Sequence, residues 1–118
     1  MKKLESEEPD FKSLYLDIYH PNPNINQKAS QKLAFCWPDE SIPLLLANLQ
    51  SNDINVRRKS VKALGFFGKR VFAPLIEIFM INENTVIRTS CLKVFVQLAV
   101  NIGEEFPEEA MEVIGLSL

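Results

Sequence analysis

An all-α solenoid of stacked helix pairs is predicted by three observations. A pattern repeats at a step of 31 residues, its apolar positions fall on one helical face, and its turn residues recur at the same phase. Ile25, Val56 and Ile87 stand at successive steps, as do Leu33, Leu64 and Phe95; Arg57 matches Arg88, and Pro43 matches Pro74. Such self-similarity marks repeat architectures, because one unit cannot bury its apolar side alone and must stack on the next. Alternation of period two, the signature of strands, persists nowhere.

The elements follow in order. Residues 1–8 read as an acidic, flexible N-terminus, and residues 9–118 as a single repeat domain. Residues 9–20 hold FKSLYLDIYH, a half repeat resembling the second helix of a preceding unit, with Pro9 at its entrance. In the unit 21–50, Ile25, Ala29, Leu33 and Cys36 form one stripe, and Ile42, Leu45, Leu46 and Leu49 another. In the unit 51–81 the stripes are Val56, Ser60, Ala63, Leu64 and Phe67, then Phe72, Leu75, Ile76 and Phe79. In the unit 82–118 they are Ile87, Cys91, Val94, Phe95 and Leu98, then a looser copy through Met111, Val113 and Ile114 that leaves an apolar edge running to Leu118. These are amphipathic-helix spacings.

Punctuation agrees. Asn22–Asn24, Asn52–Asp53 and Asn82–Asn84 precede the first helices, where side-chain oxygens cap free amide groups. Trp37-Pro38, Gly68 and Gly103 close them. Pro43 and Pro74 are expected in the first turn of each second helix, where no N–H is required. Loops are short, so about seven helices in antiparallel pairs are predicted.

Composition narrows the function. The chain has 118 residues, 47% hydrophobic and 24% charged, with net charge −2, which suits a folded soluble domain. No wholly apolar run of about 18 residues occurs, and MKKLESEEPD lacks a signal-like apolar core. A cytoplasmic protein with no membrane span is expected. The weak overall charge argues against nucleic acid. Cys36, Cys91 and His20 cannot supply four zinc ligands at short spacing, so no metal is expected and the cysteines read as reduced, buried thiols.

No catalytic constellation stands out: His20 is isolated in a turn, Glu104, Glu105, Glu108 and Glu109 surround Pro107 at a helix start, and no glycine-rich phosphate loop occurs. Charge is uneven, however. Arg57, Arg58, Lys59, Lys62, Lys69 and Arg70 form a basic centre opposed only by Asp53. Arg58 and Lys59 are not repeated between units and are therefore candidates for contact with an acidic partner. Phe35 and Phe66 occupy equivalent flanking positions, suited to packing between units or to an aromatic contact with a partner.

The run from Asp53 through Val56-Arg57 to Lys62-Ala63-Leu64-Gly65, followed by Ala73-Pro74-Leu75-Ile76, resembles the HEAT-repeat family. Asn26 replaces the arginine in the first unit, and Val94 and Val96 replace the alanine and glycine in the third. Within that family, IYHPNPNINQKAS, WPDESIPLLLANL, VRRKSVKALGFFG and FPEEAMEVIGLSL are similar to a cyanobacterial group, the E/F-type phycobilin lyase subunits and the phycobilisome-degradation adaptor. The resemblance implies a right-handed α-solenoid whose second helices line a concave groove, so that Asn48, Gln50 and Glu77 would face it. It implies a structural ladder of Asp53, Arg57 and Arg88, the arginines pairing with Asp53, Asn22 or Asn84. It implies a protein-binding, chaperone-like factor for phycobilisome biliproteins, acting in bilin attachment, handling or degradation. Its partner would be a phycobiliprotein subunit or a second HEAT-repeat protein, with no resident cofactor and at most a transient contact with a linear tetrapyrrole. The open alternatives are a bilin lyase or isomerase subunit active in a complex, and a scaffold for assembling another complex. No catalytic residue carries over.

Overall fold

A computed structural model describes residues 10–102. The acidic segment 1–8 and the segment from Gly103 to Leu118, with its expected helix, glutamate cluster and apolar edge, lie outside the described residues. Within them the order is α1 (Phe11–Asp17), α2 (Pro23–Cys36), α3 (Pro38–Asn48), α4 (Ile54–Leu64), a 3-10 turn (Gly68–Val71), α5 (Phe72–Ile81) and α6 (Thr85–Ile102). No strand occurs among the described residues.

The caps follow the repeat. Asn22, Asp53 and Asn84, each one step apart, precede α2, α4 and α6. Their side-chain oxygens accept from the backbone amides of Asn24 at 2.9 Å, Asn55 at 2.9 Å and Val86 at 2.8 Å. Each satisfies an amide that the helix itself cannot.

Packing follows the predicted stripes. α1 lies on α2, α3 on α4 and α5 on α6, while α4 runs beside α6. Leu33, Leu45, Leu49, Leu64, Leu75, Phe95 and Leu98 are wholly buried in one continuous core. The Phe72 and Phe95 rings stack 6.4 Å apart across α5 and α6. At the other end, Phe11 meets the Trp37 ring edge-on at 6.1 Å and closes the stack under α1.

Three local expectations change. Ile25 is exposed, and Val56 and Cys36 are half-buried; in the first unit the polar Asn26 takes the inner position beside Ile25. Pro43 lies inside α3, because that helix starts at Pro38, whereas Pro74 does fall in the first turn of α5. The residues ahead of the two prolines decide this. Pro38 starts α3 directly, but its counterpart Lys69 follows Gly68, whose φ of 75° breaks the path and yields a 3-10 turn instead. Gly68 accordingly opens that turn; α4 has already ended at Leu64, with Gly65 as its cap.

α6 has the length and apolar composition of a membrane-crossing helix. It nonetheless carries Arg88 and Lys93 and buries Ile87, Cys91, Val94, Phe95 and Leu98 in the stack.

Candidate functional site

The linkage between units fixes where any site can form. Arg57 donates from Nη1 to the Ser51 carbonyl oxygen at 2.7 Å, and Arg88 from Nη1 to the Asn82 carbonyl oxygen at 2.9 Å. Asn26, at the same phase, donates from Nδ2 to the His20 carbonyl oxygen at 2.9 Å. His20, Ser51 and Asn82 are themselves one step apart. Each first helix thus grips the turn that leads into it by a bond reaching six residues back. Arg88 adds a bond to the Phe79 carbonyl oxygen at 2.7 Å and lies over the Phe79 ring at 3.9 Å.

The arginine partners therefore differ from those expected. Asp53, Asn22 and Asn84 turn their side-chain oxygens to the amides of their own helices, while the guanidinium groups take carbonyls left free where the preceding helix ends. Of these, the Phe79 carbonyl bound by Arg88 lies in the last turn of α5, where the negative end of the helix dipole favours a cation. His20 Nδ1 and Ser51 Oγ tighten the same turn, accepting from the amides of Asn22 at 3.0 Å and Asp53 at 3.1 Å.

Other polar groups are also engaged. Asn48 donates to the Tyr15 hydroxyl at 2.8 Å, which in turn lies 3.1 Å from the Tyr19 hydroxyl. Burial, and then the neighbouring Tyr15, push the Tyr19 phenol well above its ordinary range. Arg70 reaches from the 3-10 turn to the Ala34 carbonyl oxygen at 2.9 Å, near the end of α2. Asn101 donates to the Gly65 carbonyl oxygen at 2.7 Å. A Cβ on Gly65 would stand 2.6 Å from Gln97 Cβ, so glycine is what lets α4 and α6 approach there.

Toward their other ends α4 and α6 leave a cleft of about 300 Å³. Ile54, Arg57, Arg58 and Val61 line it from α4, and Thr85, Val86, Thr89, Ser90 and Lys93 from α6. A second depression of about 290 Å³ shares Val61, Thr89 and Lys93 and continues past Leu92 to Val96 and Gln97. The cleft offers apolar surface, threonine hydroxyls and positive charge, with no acidic residue among its described lining. It can hold an apolar body bearing negative groups.

The candidate residues do not converge on this site as one set. Arg58 is exposed and lines the cleft, while Lys59 next to it is half-buried and does not. Gln50 and Glu77 are exposed, but Asn48 is half-buried and bound to Tyr15. Phe35 is 87% exposed on α2, whereas its repeat mate Phe66 is half-buried. The cleft is walled by two first helices, away from the second helices on which a groove was expected. Ile54, Val86 and Lys93 were missed. The available signal was two apolar residues, Ile54 and Val86, at helix starts and off the core stripe.

Among the described residues no cluster of three metal-ligating side chains occurs. Cys91 is buried, and that burial pushes its thiol up to about 11 against the opposing pull of Arg88.

Known proteins place this arrangement. A family model described as HEAT repeats matches residues 12–95. The "Bilin biosynthesis protein CpeZ" of Synechococcus sp. (strain WH8020) is 41% identical over 81 residues, 68% of this chain and 44% of that protein. The "Uncharacterized phycocyanin operon protein Z" of Pseudanabaena tenuis (strain PCC 7409) is 28% identical over 109 residues, 92% of this chain and 54% of that protein. The chain thus spans about half the length of the curated relatives it matches. No solved structure matches. With its helix pairs in register and the family match covering most of its length, the chain belongs to the HEAT-repeat family.

Proposed function

We propose that this chain is a protein-binding module of bilin handling, a chaperone-like factor that holds a phycobiliprotein subunit while a linear tetrapyrrole is added or removed. The observation that carries this reading is the 41% identity to a protein named for bilin biosynthesis. The surface is consistent with it, because cationic and apolar groups lie open between two helices. Recognition spread over a solenoid face suits an accessory role in which the chain orients one protein for chemistry performed elsewhere. On this reading the chain works in the cytoplasm and keeps no cofactor of its own; the tetrapyrrole is touched only in passing. Arg58 and Lys59 contribute to the partner contact, with Gln50, Glu77 and Phe35 as further exposed positions.

Tagged protein purified from a phycobilisome-containing cell should bring down a biliprotein subunit, identified by mass spectrometry and bilin fluorescence. Recovery of none contradicts the reading. Mixing the pure chain with free bilin and an apo-subunit separates holding from catalysis: a covalent, visible-absorbing adduct would make the chain a lyase subunit.

A further inference from the structure

We propose that the cleft between α4 and α6 is a docking groove for an acidic amphipathic helix of a partner protein. The inference rests on the chain being a protein-binding module and names the surface and partner chemistry.

Length comes first. The lining residues on α6 run from Thr85 to Gln97 across the two joined depressions, roughly 18 Å at the 1.5 Å rise of a helix, or about three turns. A partner helix lying along the groove would present apolar anchors at i, i+3/i+4 and i+7 to such a span.

The apolar floor comes second. Ile54 and Val96 are each 52% exposed and Val86 48%, around the nearly buried Val61. Three large aliphatic side chains left half open along one seam cost free energy in water and are relieved when a partner covers them.

Charge decides the partner. Arg58 stands on one wall and Lys93 on the other, both exposed, with Lys62 one turn further along α4. Among the described residues no acid lines the groove, although the chain as a whole carries net charge −2. A helix with an aliphatic stripe flanked by glutamates or aspartates would seat its stripe on Val61 and Val86 and set its carboxylates against Arg58 and Lys93. Nucleic acid fits poorly, since two exposed cations around an aliphatic floor offer neither a phosphate track nor an aromatic stacking platform.

The test uses the full chain and a fluorescent peptide of about three helical turns, leucines spaced on one face and glutamates flanking them. Anisotropy should show saturable binding, weakened about tenfold or more by Arg58→Glu with Lys93→Glu and, separately, by Val86→Glu. All three sites are exposed, and circular dichroism checks that the variants stay folded. Affinity unchanged in the folded variants overturns the proposal, as does equal binding of a scrambled peptide of the same composition. So does a self-associating wild type that Arg58→Glu turns monomeric in sedimentation, since the occupant would then be a second copy. Peptide binding retained while no biliprotein is recovered would defeat the proposed function and leave the groove standing. Biliprotein recovery unaffected by Val86→Glu would do the reverse.

Discussion

The side-chain amide of Asn26 donates to the carbonyl oxygen of His20 at 2.9 Å, and this bond does in the first unit what Arg57 and Arg88 do in the next two. A short amide substitutes for a long guanidinium because Asn26 is buried, within reach of the turn. The bond, rather than the residue type, is what repeats. Removing the donor leaves a carbonyl oxygen at the unit junction without its partner. Asn26→Ala and Arg57→Ala should each lower unfolding free energy by about 1–3 kcal/mol, read from urea denaturation. Arg88→Ala should cost at least as much, since two carbonyl bonds and the contact with Phe79 go together.

Gly65 should tolerate no larger residue. Gly65→Ala places its Cβ against Gln97 Cβ, whose position is set by the α6 backbone, and should cost about 1–3 kcal/mol as overpacking. Gly68→Ala should also destabilise, by about 1–2 kcal/mol, for a different reason: nothing crowds the position, but its φ of 75° is unfavourable for any side chain. Gln97→Ala keeps its Cβ and should not rescue Gly65→Ala. A rescue would show that the two helices are not held at this separation.

Leu64 is wholly buried at the centre of the stack. Leu64→Ala should cost about 2–5 kcal/mol, and a negligible melting shift would mean that the phase of α4 is wrong.

The thiols should differ in behaviour. Cys36 is half-buried and Cys91 fully buried, with its thiol pushed up to about 11. In the unfolded chain a thiol ionises near about 8.5. Between these values the folded chain holds a proton that the unfolded chain has released, so stability contributed by the neutral Cys91 thiol falls as pH rises from about 8.5 toward 11. Cys91→Ser, which removes the thiol, should flatten that slope. A thiol reagent near neutral pH should modify Cys36 first and reach Cys91 only on unfolding.

Much of the fold was legible because its cause is periodic. Leu33, Leu64 and Phe95 fill the same position in successive units, and each must be apolar for the stack to close. The caps Asn22, Asp53 and Asn84 were legible for the same reason. What was not legible depends on distances between units. Asn26 looked like a departure from the pattern until its reach to His20 was known, and Asn48 looked free until Tyr15 was seen beside it. The helix starts misled at Pro43, because Trp37-Pro38 starts α3 early, whereas Gly68-Lys69, with the positive φ of Gly68, forms a 3-10 turn ahead of α5. The cleft escaped notice because its walls come from residues about 30 apart, Ile54 and Arg58 against Val86 and Lys93, and no single helix displays it.

Direct titration of the pure chain with an apo-phycobiliprotein subunit, followed by calorimetry, tests the central claim. Saturable binding that Arg58→Glu with Lys59→Glu weakens about tenfold or more, without a change in melting temperature, is the predicted result. Absence of binding to any such subunit, or binding indifferent to those charges in a folded variant, would contradict it.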